Sequence, residues 1–324
     1  THNMRISSKG RLALLLAAAL PLTALAQNFP AKPITFIVPF AAGSATDQIG
    51  RAIGQGVTEQ TGQAVVIENK PGASAMIGAA AGARAAPDGY TVLITTNTTH
   101  AANEHLYKTL TYQPVKDFAP ISLLGKGGQI MVVNPNSQAK TVGEFLAQAK
   151  QSPGKLSFGS GSSSSRIAGE LLQQMAGVQL LHVPYKSNPL AVTDLLGGQI
   201  DMMITDTATG LPQVKSGKLR ALGVTGLARS PLAPDVPTIA EAGVPGYEMG
   251  YWFAAYAPAG TPPDVVKRLN ELLVNATKTK PAQQFYAQTG TDAATSTPDE
   301  LATFQQAESK KWGDIIKKAG IQPE

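Results

Sequence analysis

Two hydrophobic periods alternate along this chain. Short apolar runs bounded by Pro, Gly, Ser or Thr predict strands. Between them lie stretches whose apolar residues recur about every three to four positions, which predicts helices. Ile34–Val38 reads as a first strand, closed by Pro39. A small-residue loop, Phe40–Thr46, leads to a helix from Asp47 with Ile49, Ala52, Ile53 and Val57 on one face, ending near Gly62. An acid in a first helical turn suits the dipole. Ala64–Ile67 and Tyr90–Thr95 are further strands, with an alanine-rich helix from about Met76 between them. Thr96–His100 reads as a polar loop before another helix.

A second strand–helix series follows. Ile121–Val133 is long and extended, broken by Gly125, Gly127 and Gly128, and suits a crossing between domains. Thr141 and Glu144 form a capping box for a helix ending near Gln151. Leu156–Phe158, Leu180–Val183, Ile200–Ile204 and Leu219–Val224 read as strands, and Leu190–Leu196 as a helix. Tyr251–Ala257 reads as an extended return, and the rest is helical, with starts at Thr261–Pro263 and Thr297–Glu300. This alternation predicts α/β architecture.

The stretch Gly159-Ser160-Gly161-Ser162-Ser163-Ser164-Ser165 stands out. It joins a predicted strand to a helix that begins Arg166-Ile167-Ala168-Gly169. Free N–H groups and the dipole's positive end attract an anion there, and serine hydroxyls add donors. Phe40–Thr46, Thr95–Thr99, Pro184–Asn188 and Asp206–Thr209 have a similar small, hydroxyl-rich character at strand ends. Ligands of open α/β sheets bind at such ends. Two sheets facing each other there would form a cleft for a carboxylate.

Composition narrows the class. The chain has 324 residues, 43% hydrophobic and 15% charged, enough for two globular domains. Met4 reads as the start, with Thr1-His2-Asn3 as extra residues before it. Arg5, Lys9 and Arg11 precede an apolar run, Leu12–Leu25, and a small-x-small site, Ala24-Leu25-Ala26. Residues 1–26 therefore read as a secretory signal peptide, followed by a mature protein from Gln27. The run is short for a membrane span. Removing the leader lowers the net charge from +5 to +2. No basic run is interleaved with aromatics, so no nucleic-acid partner is expected. The absence of cysteine rules out thiolate catalysis and thiolate metal ligands.

Catalytic signatures are missing. The serine loop is not a nucleophile elbow, no lysine follows a phosphate loop, and no histidine pair has metal spacing. No enzyme activity, metal or cofactor is expected. A periplasmic hydrolase remains the competing class, and a receptor presenting its ligand to a membrane kinase is a third.

Ordered segments then carry a resemblance. They include Pro39-Phe40-Ala41-Ala42-Gly43-Ser44-Ala45-Thr46-Asp47, Val66-Ile67-Glu68-Asn69-Lys70-Pro71-Gly72-Ala73 and Pro87-Asp88-Gly89-Tyr90-Thr91. Others are His182-Val183-Pro184-Tyr185-Lys186, Asp194-Leu195-Leu196-Gly197-Gly198-Gln199-Ile200-Asp201, and Pro234-Asp235-Val236-Pro237-Thr238. Together they resemble the substrate-binding proteins of tripartite tricarboxylate transporters, also called Bug receptors. The resemblance implies a two-domain, type II-like periplasmic-binding-protein fold with an interdomain cleft. The expected domains are 27–127 plus 251–324, and 128–250. It further implies a monomeric periplasmic receptor that delivers a small carboxylate to a membrane permease.

The resemblance places the ligand between Phe40, Ala42, Gly43, Ser44 and Thr46 on one side and Ser160, Ser162, Ser163 and Ser164 on the other. Asn97 and Thr98 belong to a further loop of the cleft. Asp206 matches a position where amino-acid-binding members meet an ammonium group. Arg166 either pairs with Glu170 one turn on or holds a second carboxylate. Tyr185 and Lys186 are candidate cleft residues. Phe40 and Trp252 are either packing or a ligand wall. The chain departs from the usual pattern at Ser44, at Ser74-Ala75 and at Arg166. The expected ligand is a dicarboxylate, with an aromatic body as one option.

Overall fold

The computed structural model describes residues 28–324. The leader expected at 1–26 lies outside them. In the first sheet, β1 (Ile34–Val38) pairs in parallel with β2 (Val65–Asn69) and β3 (Thr91–Thr96). The order is completed by two strands from distant sequence, giving β2-β1-β3-β10-β4, with β4 at Phe118–Gly127 and β10 at Tyr251–Pro258. β10 is antiparallel to both neighbours.

The second sheet repeats this plan as β7-β6-β8-β5-β9. β6 (Ser157–Ser160) is parallel to β7 (Leu181–Pro184) and β8 (Met202–Asp206). β5 (Gln129–Val133) runs antiparallel to β8 and β9 (Arg220–Val224). Gly128 alone separates β4 of the first sheet from β5 of the second. The chain therefore changes sheets within the segment read as one long extended run, and returns between β9 and β10.

Local sequence explains the helices that frame the site. α1 (Ala45–Thr61) is capped by the Ser44 hydroxyl, which accepts the Asp47 N–H, and ends at left-handed Gly62. Ile49, Ile53 and Val57 are fully buried, worth about 1.5–3 kcal/mol each. The helix also packs against α8 (Pro263–Ala276), which begins with proline where no N–H is needed. α5 (Ser163–Ala176) is capped by Ser162 and buries Ile167, Leu171 and Leu172. α10 (Pro298–Lys318) starts at a Thr297 cap and packs on β4 and on α5, so it touches elements of both sheets.

β10 is buried on both faces. Tyr251, Phe253, Ala255 and Ala257 join one apolar cluster, and Trp252, Ala254 and Tyr256 another. The segment after β3 differs from the expected loop. Thr98–Ala102 forms one π-helical turn that runs straight into α3 (Asn103–Leu106). Its side chains are buried, and the turn packs against α10. Among the described residues no helix is long and apolar enough to cross a membrane.

Candidate functional site

The two sheets meet at the carboxyl ends of β1, β3, β6 and β8. Four helices start at this seam. They are α1, α5, α6 (Asn188–Leu196, cap Ser187) and α7 (Thr207–Lys215, cap Asp206). Each contributes partial positive charge from its first N–H groups. The seam therefore attracts an anion without a fixed cation.

Asp47 builds the first jaw. Its buried carboxylate accepts the Gly43 N–H at 2.9 Å, the Asn69 amide at 3.0 Å and Arg51 Nε at 3.1 Å. Burial alone would raise this carboxyl, but those partners hold it below the usual range. The loop is thereby pinned, and left-handed Gly43 lets it turn. Ala41 N–H crosses the seam to the Ser187 hydroxyl at 2.7 Å. Ser44 is the α1 cap, Ala42 and Gly43 are exposed, and Phe40 is buried in the apolar core.

The serine loop forms the second jaw, and each hydroxyl has a separate task. Ser162 caps α5 by accepting the Ser165 N–H. Ser163 donates across the seam to Asn103 Oδ1 at 2.6 Å. Ser164 and Thr98 share a hydroxyl contact of 3.0 Å across it. Ser160 contacts His182 Nε2 at 2.7 Å, and Ser165 bonds the Ile204 carbonyl. Gly161 N–H donates to Asn188 Oδ1, and Asn188 Nδ2 donates to Asp206 Oδ1. The jaws are in contact, as in a closed cleft.

Asp206 is saturated. Oδ1 accepts from Asn188 and Thr205, and Oδ2 from the Thr209 N–H and hydroxyl. It is the α7 cap, and four donors already disperse its charge. Tyr251 stands beside it, next to the hydroxyls of Thr46 and Thr96; burial above all, then the Asp206 charge, pushes its phenol far up, so it stays protonated.

Two fully buried amides complete the seam. Asn97 lies between Thr96 and Thr98, and neither its Nδ2 nor its Oδ1 has a partner among the described residues. Gln129, opposite Asp206 in the β5–β8 register, donates Nε2 to the Ser164 carbonyl at 3.4 Å, while Oε1 has none. Unpaired buried amides are rare in folded proteins and call for an explanation.

Other expected residues lie elsewhere. Arg166, one turn into α5, contacts Glu324 at 2.8 Å and Glu170 at 3.9 Å. Tyr185 donates to Asp194 at 2.6 Å, and Lys186 is exposed. Trp252 packs on Phe304 of α10, on the β10 face opposite Tyr251. Among the described residues, Tyr251 is the aromatic side chain placed beside Asp206 at the seam. Ser187 and Asn188 lie in the Pro184–Asn188 loop that the sequence marks only as a whole, while Gln129 and Tyr251 carry no sequence signal for the site. The pattern Asp206-Thr207-Ala208-Thr209 was a legible cap signal. Surface depressions of about 380 Å3, lined by Leu171, Met175 and Lys310, and about 650 Å3, lined by Asn134, Gln148 and Lys155, lie away from the seam.

His100 sits just behind, stacked on Tyr256 at 3.9 Å with Nδ1 against the Thr99 hydroxyl. Full burial lowers its pKa to about 3. Above pH 6.5 it is neutral folded or unfolded and adds no pH dependence. As pH falls below 6.5, only the unfolded chain gains this proton, so stability falls by up to about 1.4 kcal/mol per pH unit. His182, lowered to about 4 by burial and then by Arg166, acts in the same direction. Denaturant titrations between pH 7.5 and 5 are expected to show a falling midpoint, with a shallower fall in His100→Gln. Identical pH slopes for the two proteins would contradict a neutral, buried His100.

Comparison with known proteins decides the class. The description "Tripartite tricarboxylate transporter family receptor" matches residues 49–321. The chain belongs to this receptor family. The receptor superposes on the periplasmic binding protein BugD with TM-score 0.88 at 33% identity, covering 91% of this chain and 100% of that one. An R. palustris protein solved with adipate gives the same TM-score, identity and coverage. MatC from Rhodopseudomonas palustris, with bound malate, gives 0.85 at 31% identity over 89% of this receptor and all of MatC. The two-sheet α/β fold is that of these binding proteins. The family role is solute reception rather than catalysis.

Proposed function

We propose that this receptor captures a small aliphatic dicarboxylate in the seam and delivers it to the membrane subunits of a tripartite transporter. Its two domains are residues 27–127 plus 251–324, and residues 128–250. The leader-like 1–26 segment and the family support a periplasmic location. The observation that carries the reading is the Asn97 amide, fully buried with both polar atoms unpaired, next in sequence to Thr98, whose hydroxyl meets Ser164 of the other jaw. A buried polar group left unpaired at such a cost calls for an explanation, and a bound ligand supplies one. Adipate and malate in the two R. palustris proteins support a dicarboxylate.

Capture follows from the donors. In the open form the carboxylate meets the helix starts and the Thr46, Asn97, Thr98 and Tyr251 side chains. Closure brings Ser163 and Ser164 from the other domain. The carboxylate takes over hydroxyl protons that the jaws otherwise share, chiefly those of Thr98 and Ser164. Neutral donors hold the anion without the desolvation penalty of a buried counter-ion. Release needs only reopening, since no covalent step occurs.

A thermal-shift panel tests this. Protein shown by mass spectrometry to be ligand-free is heated with mono-, di- and tricarboxylates and with aromatic carboxylates. A dicarboxylate at about 100 times its Kd adds about 2.7 kcal/mol, a rise of several degrees. Benzene carboxylates are expected to leave the transition unchanged. A flat response to every carboxylate would overturn the reading.

A further inference from the structure

Three side-chain contacts tie the start of α5 to elements of the first sheet. Two are the jaw contacts already described, Ser163 with Asn103 and Ser164 with Thr98. The third is an ion pair. Arg166 Nη2 donates to Glu324 Oε1 at 2.8 Å. Arg166 belongs to the second sheet's side, since α5 packs on β6 and β8. Glu324 follows α10, and its main chain is fastened beside α3. Its N–H donates to the Leu106 carbonyl at 2.8 Å, and its main-chain oxygen accepts the Lys108 N–H at 2.7 Å. The segment is also held at its start, where the Ile321 N–H donates to the Ile316 carbonyl at 3.2 Å. Glu324 is thus a carboxylate on a strap anchored to the first domain.

The pair sits where the jaws touch, so parting the jaws parts the two charges. It differs from the jaw hydroxyls in what a ligand does to it. A carboxylate competes for the protons of Thr98 and Ser164, whereas the Arg166 charge is already met by Glu324. Opening does not strand the guanidinium either. Glu170, one turn along the same helix, keeps an oxygen 3.9 Å from Arg166 Nε. Arg166 is 17% exposed and Glu324 60%, so water and salt reach the pair. Such a pair contributes a small bias rather than a lock.

We infer that Arg166 and Glu324 form a latch between the two domains, which favours the closed form whichever carboxylate is bound. This rests on the two-domain closure in the reading above and deepens it. A ligand's apparent affinity scales with the share of receptor in the form that binds it tightly. The latch therefore raises affinity for every ligand by one common factor. Selectivity stays with the jaws, which the latch does not touch.

Two measurements on wild type, Glu324→Gln, Arg166→Gln and the double variant test the latch. The first is isothermal titration with succinate, adipate and citrate. In low salt, Glu324→Gln is expected to weaken every probe that binds by the same factor, about two- to fivefold. The gap from wild type is expected to close at about 0.5 M salt. The double variant is expected to bind no more weakly than the weaker single variant, because both changes break one interaction. The second is the distance between spin labels at Glu59→Cys and Lys155→Cys, exposed positions of the two domains in a chain without other cysteines. In ligand-free Glu324→Gln, a larger share of molecules is expected away from the closed separation. Wild-type affinities in Glu324→Gln, or an unchanged distance distribution, would overturn the latch and leave the carboxylate reading standing. So would additive single effects, or a loss confined to one probe, which would make Arg166 a ligand contact. If none of the three probes binds, the labelled ligand-free protein still decides the latch.

Discussion

Replacing Asn97 by leucine is expected to weaken ligand binding at least a hundredfold while leaving the ligand-free protein folded. The side chain has no exposed surface, and neither end of its amide is paired. An unpaired buried polar group costs about 1–3 kcal/mol, which leucine removes. Leucine keeps the branching but is larger, and crowding in a packed seam costs a similar 1–3 kcal/mol. The two effects largely offset each other, so the ligand-free melting temperature should change little. Binding is different, because the carboxylate loses a donor in a water-poor site and meets methyl groups instead. Calorimetry with the best ligand of the panel, together with a melting curve, reads both halves. Wild-type affinity in Asn97→Leu would contradict a direct role for the amide. A large fall in melting temperature with affinity retained would mark Asn97 as structural.

The second large effect lies at Gly161, in the serine loop. A Cβ there would sit 1.9 Å from the Ser187 carbonyl carbon and 2.0 Å from Asn188 N. Both are backbone atoms, so no side chain can swing aside. Gly161→Ala must push the serine loop away from the start of α6. The push breaks the 2.8 Å bond from Gly161 N–H to Asn188 and releases the Asn188 amide that steadies Asp206 at 2.9 Å. It also disturbs Ser187, whose hydroxyl takes the Ala41 N–H from the opposite jaw. Crowding plus lost buried hydrogen bonds amounts to about 3 kcal/mol or more. The variant is expected to melt several degrees lower and to lose ligand binding. Gly197→Ala is the control. Its φ of −79° suits any residue, and its nearest obstacle is 3.5 Å away. Equal stability of the two variants would contradict the close approach at Gly161.

Much of this fold was legible because its parts are local. The helix end at αL Gly62 and the proline-started helices α8 and α10 follow from residues within a few positions of one another, whereas α1 and α5 start earlier than the expected Asp47 and Arg166, at Ala45 and Ser163 behind Ser44 and Ser162 caps. β1, β3 and β8 read as short apolar runs because both of their faces are buried. The same burial hid the parity of β10. Tyr251 and Trp252 are both fully enclosed, so nothing in the pattern says which of them faces the seam. Gln129 was obscure for a related reason. It opens an apolar strand after two glycines, and its importance comes from Ser164, 35 positions away. Asp206 shows the opposite case. Its family position suggested an ammonium partner, yet its local Asp-x-x-Thr pattern already described the cap it forms. Arg166 was open between two readings, and its contact with Glu324 depends on a packing that no local window contains.

The crystal structure of the receptor grown with its strongest carboxylate ligand tests the central claim most directly. The account predicts one carboxylate between the two jaws, with an oxygen within about 3.2 Å of Asn97 Nδ2 and a second contact from the Thr98 or Ser164 hydroxyl. A ligand seated in either depression away from the seam, with the Asn97 amide still unpaired, would contradict it.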